Sequence, residues 1–413
     1  MKSRLENPYL YCFRPLKLYN GRFHSFTEQQ KNISVFGKTK QTSPNEKSNK
    51  TTFFGDGSVF VRSEFKGSGI DAELIFGGSS ENGSIYLAKK TQMTDAQTFE
   101  WLYWDVHQPD GYDLVFSLHV KPFMSHFAVS IFDVFVYQNN RLLLHKFLLF
   151  SPDKLQIEQN GNRIHHRDNP LFLLERNTRT LTLSARADWL TLDLEMTTDT
   201  PLSAPLDVHF PARSSALQTF RWLLFMPLAK ASGTMQIQNK KGDWQKITLN
   251  GRAYHDANSG GFNLKKELKA WQWMKIYQNE TLWIAGKIVP LHEQVNNVLL
   301  RVRMPRVDLT LQANIESDEH GLNIVSPLGD LHFDYIEHYK LDDLRFLVPV
   351  WPKPFESLEK IREILAAFTL DRKILAPLRN WLTNGKYRRR RWLARDAQNR
   401  NVEIFGEEMF LND

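Results

Sequence analysis

From residue 53 onward the chain is a succession of short runs in which apolar and polar residues alternate, with turn-forming residues between them. Residues 114–120, 127–137, 142–150, 171–175, 181–183 and 190–194 are the clearest in the first half. Pro109-Asp110-Gly111, Gln138-Asn139-Asn140 and Gln159-Asn160-Gly161-Asn162 punctuate them. Residues 271–277, 281–289, 297–304, 307–315, 322–325 and 330–335 repeat the style, and 401–411 closes the chain in the same way. A period of two gives each strand one buried face. Strands at this spacing, without helical patterns between them, pack as an antiparallel sandwich or barrel. Helical spacing occurs at 356–368, where Leu358, Ile361, Ile364, Leu365 and Phe368 follow Pro354, and a second short helix is expected at 373–382. The predicted class is mostly β, in two halves, with one or two short helices near the C-terminus.

Composition sets limits on function. The 413 residues are 42% hydrophobic and 12% aromatic, with 11 Trp and 28 Phe, a flat apolar area that suits lining a cavity as well as filling a core. The single Cys12 excludes a disulfide framework and a Cys-based metal site. No run approaches the roughly 18 apolar residues of a membrane span, and the first residues lack a signal-peptide apolar core. The expected location is therefore cytoplasmic. A net charge of +7 makes no strong case for nucleic acid, but it would favour peripheral contact with an anionic membrane surface. Ser, Asn, Lys, Thr and Gln dominate residues 38–52, so 1–52 is expected to be a flexible basic leader, or alternatively an organelle transit peptide. Oligomeric state is not legible.

The richest stretch is Gly251-Arg252-Ala253-Tyr254-His255-Asp256-Ala257-Asn258-Ser259-Gly260-Gly261, followed by Trp271-Gln272-Trp273. As a strand, it sets Tyr254, Asp256 and Asn258 on one face and His255 and Ala257 on the other. Two readings stand side by side. Asp256, Asn258 and the glycines can make an Asx-type turn beside an ordinary Tyr254. Alternatively, they line an apolar pocket in which an acid keeps its proton at neutral pH.

Four anchors resemble the carotenoid 1,2-hydratase (hydroxyneurosporene synthase) family, within a wider set of tandem lipocalin-like proteins that includes AttH-type proteins, tocopherol cyclases and pericyclases. They are Glu100-Trp101-Leu102-Tyr103-Trp104-Asp105 with Asp110-Gly111; Trp222-Leu223-Leu224-Phe225-Met226-Pro227-Leu228-Ala229; the Gly251 stretch with its Trp271 and Trp273; and Asn384-Gly385-Lys386-Tyr387 with Arg389 and Gly406-Glu407-Glu408. They span roughly residues 95–411, and an extra loop around 239–244 lengthens this chain. The resemblance implies two consecutive lipocalin-like barrels or half-barrels, at 53–260 and 261–413, with an apolar site at their junction. It also implies hydration of an acyclic carotenoid or related isoprenoid, with no cofactor and no metal.

Carried over from the family are Asp256 as proton donor, Trp222 as the indole stabilising the cation, and Tyr254 holding the carboxyl or the attacking water. Trp271, Trp273, Asn258, Trp101, Tyr103 and Trp104 are expected to contact the hydrophobic substrate. A cyclase or pericyclase on the same scaffold and a non-catalytic lipid binder are the alternatives. His255 is expected to be structural, being on the opposite face. His165-His166 reads as a solvated loop rather than metal ligands, and the four arginines at 388–391 as a solvated strand or lipid-headgroup patch. No phosphate-binding glycine loop, zinc spacing or nucleophile elbow occurs in the sequence.

Overall fold

The computed structural model describes residues 99–346 and 385–411, apart from 122–129, 151–153, 159–161, 168–171, 201–205, 212–216, 240–241, 292–295, 311 and 328, together with three short strands, Lys50–Phe53, Val59–Arg62 and Leu74–Phe76. The helices expected at 356–368 and 373–382 lie outside the described residues, as does the leader up to residue 49. Lys50–Phe53 pairs with Val59–Arg62 as a short hairpin.

Two antiparallel sheets follow one another along the chain. Thirteen strands, from Leu74–Phe76 to Trp244–Gly260, make the first; nine, from Leu268–Gln278 to Asn401–Phe410, make the second. A single helical turn, Leu264–Glu267, links them. The first sheet rolls up on itself. Phe150 and Phe132 lie on strands toward one end of the hydrogen-bonded order, yet both meet Phe172 near the other, at ring distances of 5.5 and 5.1 Å. The second also curls: Leu299 near one end and Ile315 at the other share one apolar cluster. The run expected as one strand at 307–315 is two, Arg306–Thr310 and Asn314–Ser317, at opposite ends of that sheet. This is the tandem lipocalin-like, mostly β architecture.

Local chemistry explains the hairpins. Asn139 and Asn140 both take positive φ (51° and 62°), closing Ser130–Gln138 onto Arg141–Phe150 with the backbone that a two-residue hairpin needs. The extra loop expected around 239–244 is the tip of the longest hairpin, Leu217–Gln238 against Trp244–Gly260, where Asn239 N donates to Asp243 O at 2.9 Å. That pairing slips at Met226, flanking Pro227, which has no N–H to give to the ladder.

Three apolar cores result. One fills the first roll, with Leu102, Trp104, Val106, Phe116 and Phe225, and one fills the second, with Met274, Ile276, Phe333 and Ile404. The third lies between them and draws on both: Phe99, Trp101, Tyr103, Trp222 and Tyr254 from the first sheet, and Trp273, Tyr277, Ile284 and Phe405 from the second.

Candidate active site at the junction of the two sheets

Strands Phe99–His107 and Leu268–Gln278 pack face to face, and their alternating residues meet rung by rung. Trp101 stacks on Trp271 (5.9 Å, 18°), and Tyr103 meets Trp273 edge-on (5.4 Å). Asp105 forms an ion pair with Lys275, and His107 meets Tyr277 (6.0 Å). Four successive alternate side chains of the first strand, 101 to 107, thus each face a counterpart. Asp105 and Lys275 are both fully buried. Burial drives the Asp105 carboxyl up, but the charges of Lys275 and His107 outweigh it and hold the group at about 2. Burial lowers Lys275 from the ordinary lysine value, against the pull of Asp105. Its ammonium also stands 4.8 Å from the Tyr254 ring centre and 5.1 Å from that of Phe405, within the range of cation–π attraction.

Strand Trp244–Gly260 lies beside Phe99–His107 in the same sheet, with Tyr254 opposite Asp105, Asp256 opposite Tyr103 and Asn258 opposite Trp101. On its other side Asn258 pairs with Trp222 and Asp256 with Leu224. Strand alternation therefore brings Trp222, Tyr254, Asp256 and Asn258 to one surface, where they bond directly. Trp222 Nε1 donates to Asp256 Oδ2 at 2.7 Å, Tyr254 Oη donates to the same oxygen at 2.5 Å, and Asn258 Nδ2 donates to Oδ1 at 3.1 Å. Asp256 is 4% exposed and Tyr254 fully buried. Burial raises the Asp256 carboxyl, the bonds from Tyr254 and Trp222 lower it, and Glu407 and Asp105 raise it again, for a value of about 7. Burial, helped by the neighbouring Asp256, pushes the Tyr254 hydroxyl well above the ordinary phenol value, so it remains a donor.

The two oxygens are unequal. Oδ2 takes both strong donors, whereas Oδ1 has only the longer amide contact, so a proton on this acid belongs on Oδ1. Near neutral pH a substantial share of Asp256 carries that proton.

The second sheet closes over this acid. The Trp273 ring lies 5.2 Å from that of Tyr254. Gly286, opposite Trp273 in its sheet, seats the Trp222 indole: a Cβ built there would be 3.0 Å from Trp222 Cζ3. Further along, Tyr103 Oη donates to Glu407 Oε1 at 2.9 Å, and Arg389 Nε donates to the same oxygen at 2.8 Å while its Nη1 reaches Asp342 Oδ2 at 2.7 Å.

Trp222, Tyr254, Asp256, Asn258, Tyr103, Trp101, Trp271 and Trp273 thus share one interface. Trp104 does not belong to it. One residue out of phase with Tyr103, it points into the first roll and stacks on His255 (4.8 Å, 12°). His255 is held on that inner side by Tyr103 O at 2.8 Å and by Arg176 Nη1, which donates to Nε2 at 3.1 Å. Burial and Arg176 keep its pKa well below the ordinary histidine value.

Two other expectations change. The four arginines at 388–391 do not all face solvent as a solvated strand would have them. Arg389 is 2% exposed, and Arg391 crosses to Asp113 of the first sheet at 2.6 Å, so alternate members bind inward. His165 and His166 lie in a strand, Arg163–His166, with His165 Nε2 3.1 Å from Glu158, rather than in a loop. Asp105, Lys275, Tyr277, Glu407 and Gly286 were not foreseen as site residues. The signal for the first two was a single charge in the middle of an otherwise aromatic alternating row, the mark of a buried pair.

No protein-family model matches this sequence, and no curated protein does. Solved structures are similar to this chain. CghA, crystallised alone and with Sch210972, superposes with a TM-score of 0.50 at 10% identity, over 76% of this chain and 88% of that one. An AttH-like protein of Nitrosomonas europaea gives a TM-score of 0.46 at 12% identity, over 77% and 93%. Kievitone hydratase of Nectria haematococca gives 0.43 at 10%, over 81% and 94%. The match to CghA is a likeness of fold.

Proposed function

We propose that this chain is a hydratase that adds water to an alkene of an acyclic carotenoid or related isoprenoid, with Asp256 as the acid. The observation that carries this reading is a buried carboxyl whose Oδ2 is fixed by Trp222 and Tyr254 while Oδ1 is left to bear the proton. Protonating an unactivated alkene needs a strong, oriented donor and a surrounding that tolerates a cation. Asp256 supplies the first. The faces of Trp273, Tyr254 and Tyr103, mutually 5.2–6.1 Å apart, supply the second, each such face being worth roughly 2 kcal/mol to a cation when dry. Trp222 and Tyr254 hold the carboxyl in place. General acid catalysis gives roughly 10²–10⁴-fold, and positioning within a closed interface must supply the remainder.

Incubation with a panel of acyclic carotenoids in heavy-oxygen water tests the reading. Labelled tertiary alcohol is expected from the wild type and none from Asp256→Asn. Label incorporated by Asp256→Asn at the wild-type rate removes Asp256 from the acid role. The aromatic walling of the acid favours one second reading, a cyclase in which an internal alkene captures the same cation. Its signature is an unlabelled, cyclised product.

A further inference from the structure

Three polar atoms at the junction of the two sheets are buried and have no hydrogen-bond partner among the described residues: Asp105 Oδ2, Tyr277 Oη and Trp273 Nε1. Leaving such groups unpaired costs roughly 1–3 kcal/mol each. All three belong to residues that border the Lys275 ammonium. Trp273, Lys275 and Tyr277 share a face of their strand, Asp105 Oδ1 holds Lys275 Nζ, and that nitrogen lies 5.4 Å from the Trp273 ring centre and 5.5 Å from that of Tyr277. A guest there must accept from an indole N–H and a phenol and donate to a carboxylate. Water does both, and a hydrocarbon does neither.

We propose that this niche holds the attacking water and that Asp105 Oδ2 is the base that takes its proton, with Trp273 and Tyr277 orienting it. The proposal rests on the hydratase reading above. Asp256 sits opposite Tyr103, so Asp105, two residues along the same strand, is its diagonal neighbour at roughly 7 Å, with Tyr254 directly beside it. Their environments also divide the labour: burial keeps Asp256 protonated near neutrality, whereas Lys275 keeps Asp105 ionised.

The step balances. The proton on Asp256 Oδ1 passes to one alkene carbon, the π pair forming the new C–H bond and leaving a tertiary cation. A water lone pair forms the C–O bond, and the oxonium loses its extra proton to Asp105 Oδ2. That proton then returns through solvent to the Asp256 carboxylate, the stronger base. Alkene plus water gives alcohol, and nothing is oxidised or reduced.

The test uses the full chain with a detergent-solubilised acyclic carotenoid in deuterium oxide. Wild type should give alcohol carrying deuterium on the neighbouring carbon. Asp105→Asn should still form the cation, but the cation then loses a proton, so recovered alkene carries deuterium or a shifted double bond. The ratio of alcohol to exchanged alkene should fall on the order of 10²-fold. Tyr277→Phe, which removes a hydroxyl with no described partner, should lower the same ratio and keeps the test valid should Asp105→Asn fail to fold. An unchanged ratio in Tyr277→Phe and in folded Asp105→Asn overturns the water niche while leaving hydration intact. If wild type itself yields neither alcohol nor exchange, the hydratase reading falls and the niche with it.

Discussion

Replacing Asp256 with Asn should make the protein more stable above neutral pH and leave it unchanged in acid. Asn keeps the shape, its carbonyl can accept from Trp222 Nε1 and Tyr254 Oη as Oδ2 does, and Asn258, which now donates to Oδ1, can turn its amide to accept from the new Nδ2, but Asn cannot ionise. In the wild type the carboxyl titrates at about 7 when folded, against an ordinary 3.8. Below about pH 4 it is protonated in both states and favours neither. As pH rises, the unfolded chain ionises first, so folding loses about 1.36 kcal/mol per pH unit until the folded carboxyl also ionises. A pKa raised on folding gives a contribution present below the unfolded value and lost as pH rises through the folded one. The accumulated loss is roughly 4 kcal/mol. Urea denaturation of both proteins from about pH 4 to about pH 9 measures it, since all other titrating groups cancel in the difference. The difference should start near zero and climb to a plateau above neutrality. A flat difference, or an Asn variant less stable in alkali, would mean that the folded Asp256 carboxyl is not raised.

Trp222→Phe and Tyr254→Phe each remove a donor that favours the Asp256 carboxylate, so its titration should move above about 7, seen as an upward shift of the alkaline limb of the pH–rate profile. Gly286→Ala places a methyl 3.0 Å from Trp222 Cζ3; turnover should drop while circular dichroism stays unchanged, and a crystal structure should show the indole displaced from Asp256. Arg389→Ala leaves Asp342 and Glu407 without their buried partner and should cost roughly 3–5 kcal/mol in denaturation. Arg390→Ala, whose pair with Glu408 is partly exposed at 3.5 Å, should cost less than about 1 kcal/mol.

Much of this site was legible because a strand has a fixed period. Tyr254, Asp256 and Asn258 fall on one face and His255 on the other for that reason alone, and the structure has them so. The same rule, applied to Trp101-Leu102-Tyr103-Trp104, separates Trp104 from its aromatic neighbours; grouping the four by residue type obscured it. Trp222 is 34 positions from its carboxylate partner, and only a resemblance, not any local pattern, put it in the same site, as a cation-stabilising indole rather than as a donor to the acid. The Asp105–Lys275 rung was out of reach for another reason. It joins residues 170 apart through the packing of two sheets, and nothing local to either strand sets the alignment of one sheet on the other. The arginine row misled because a run of like charge usually faces water, whereas here alternate members meet Asp113, Asp342, Glu403 and Glu407.

Asp256 as a neutral acid poised near physiological pH is open to direct measurement. Infrared difference spectra of wild type against Asp256→Asn, followed from about pH 4 to about pH 9, read its carboxylic C=O stretch directly. A protonated-acid band should disappear with a midpoint of about 7. A carboxylate signal persisting down to about pH 4, the ordinary range for aspartate, would contradict it.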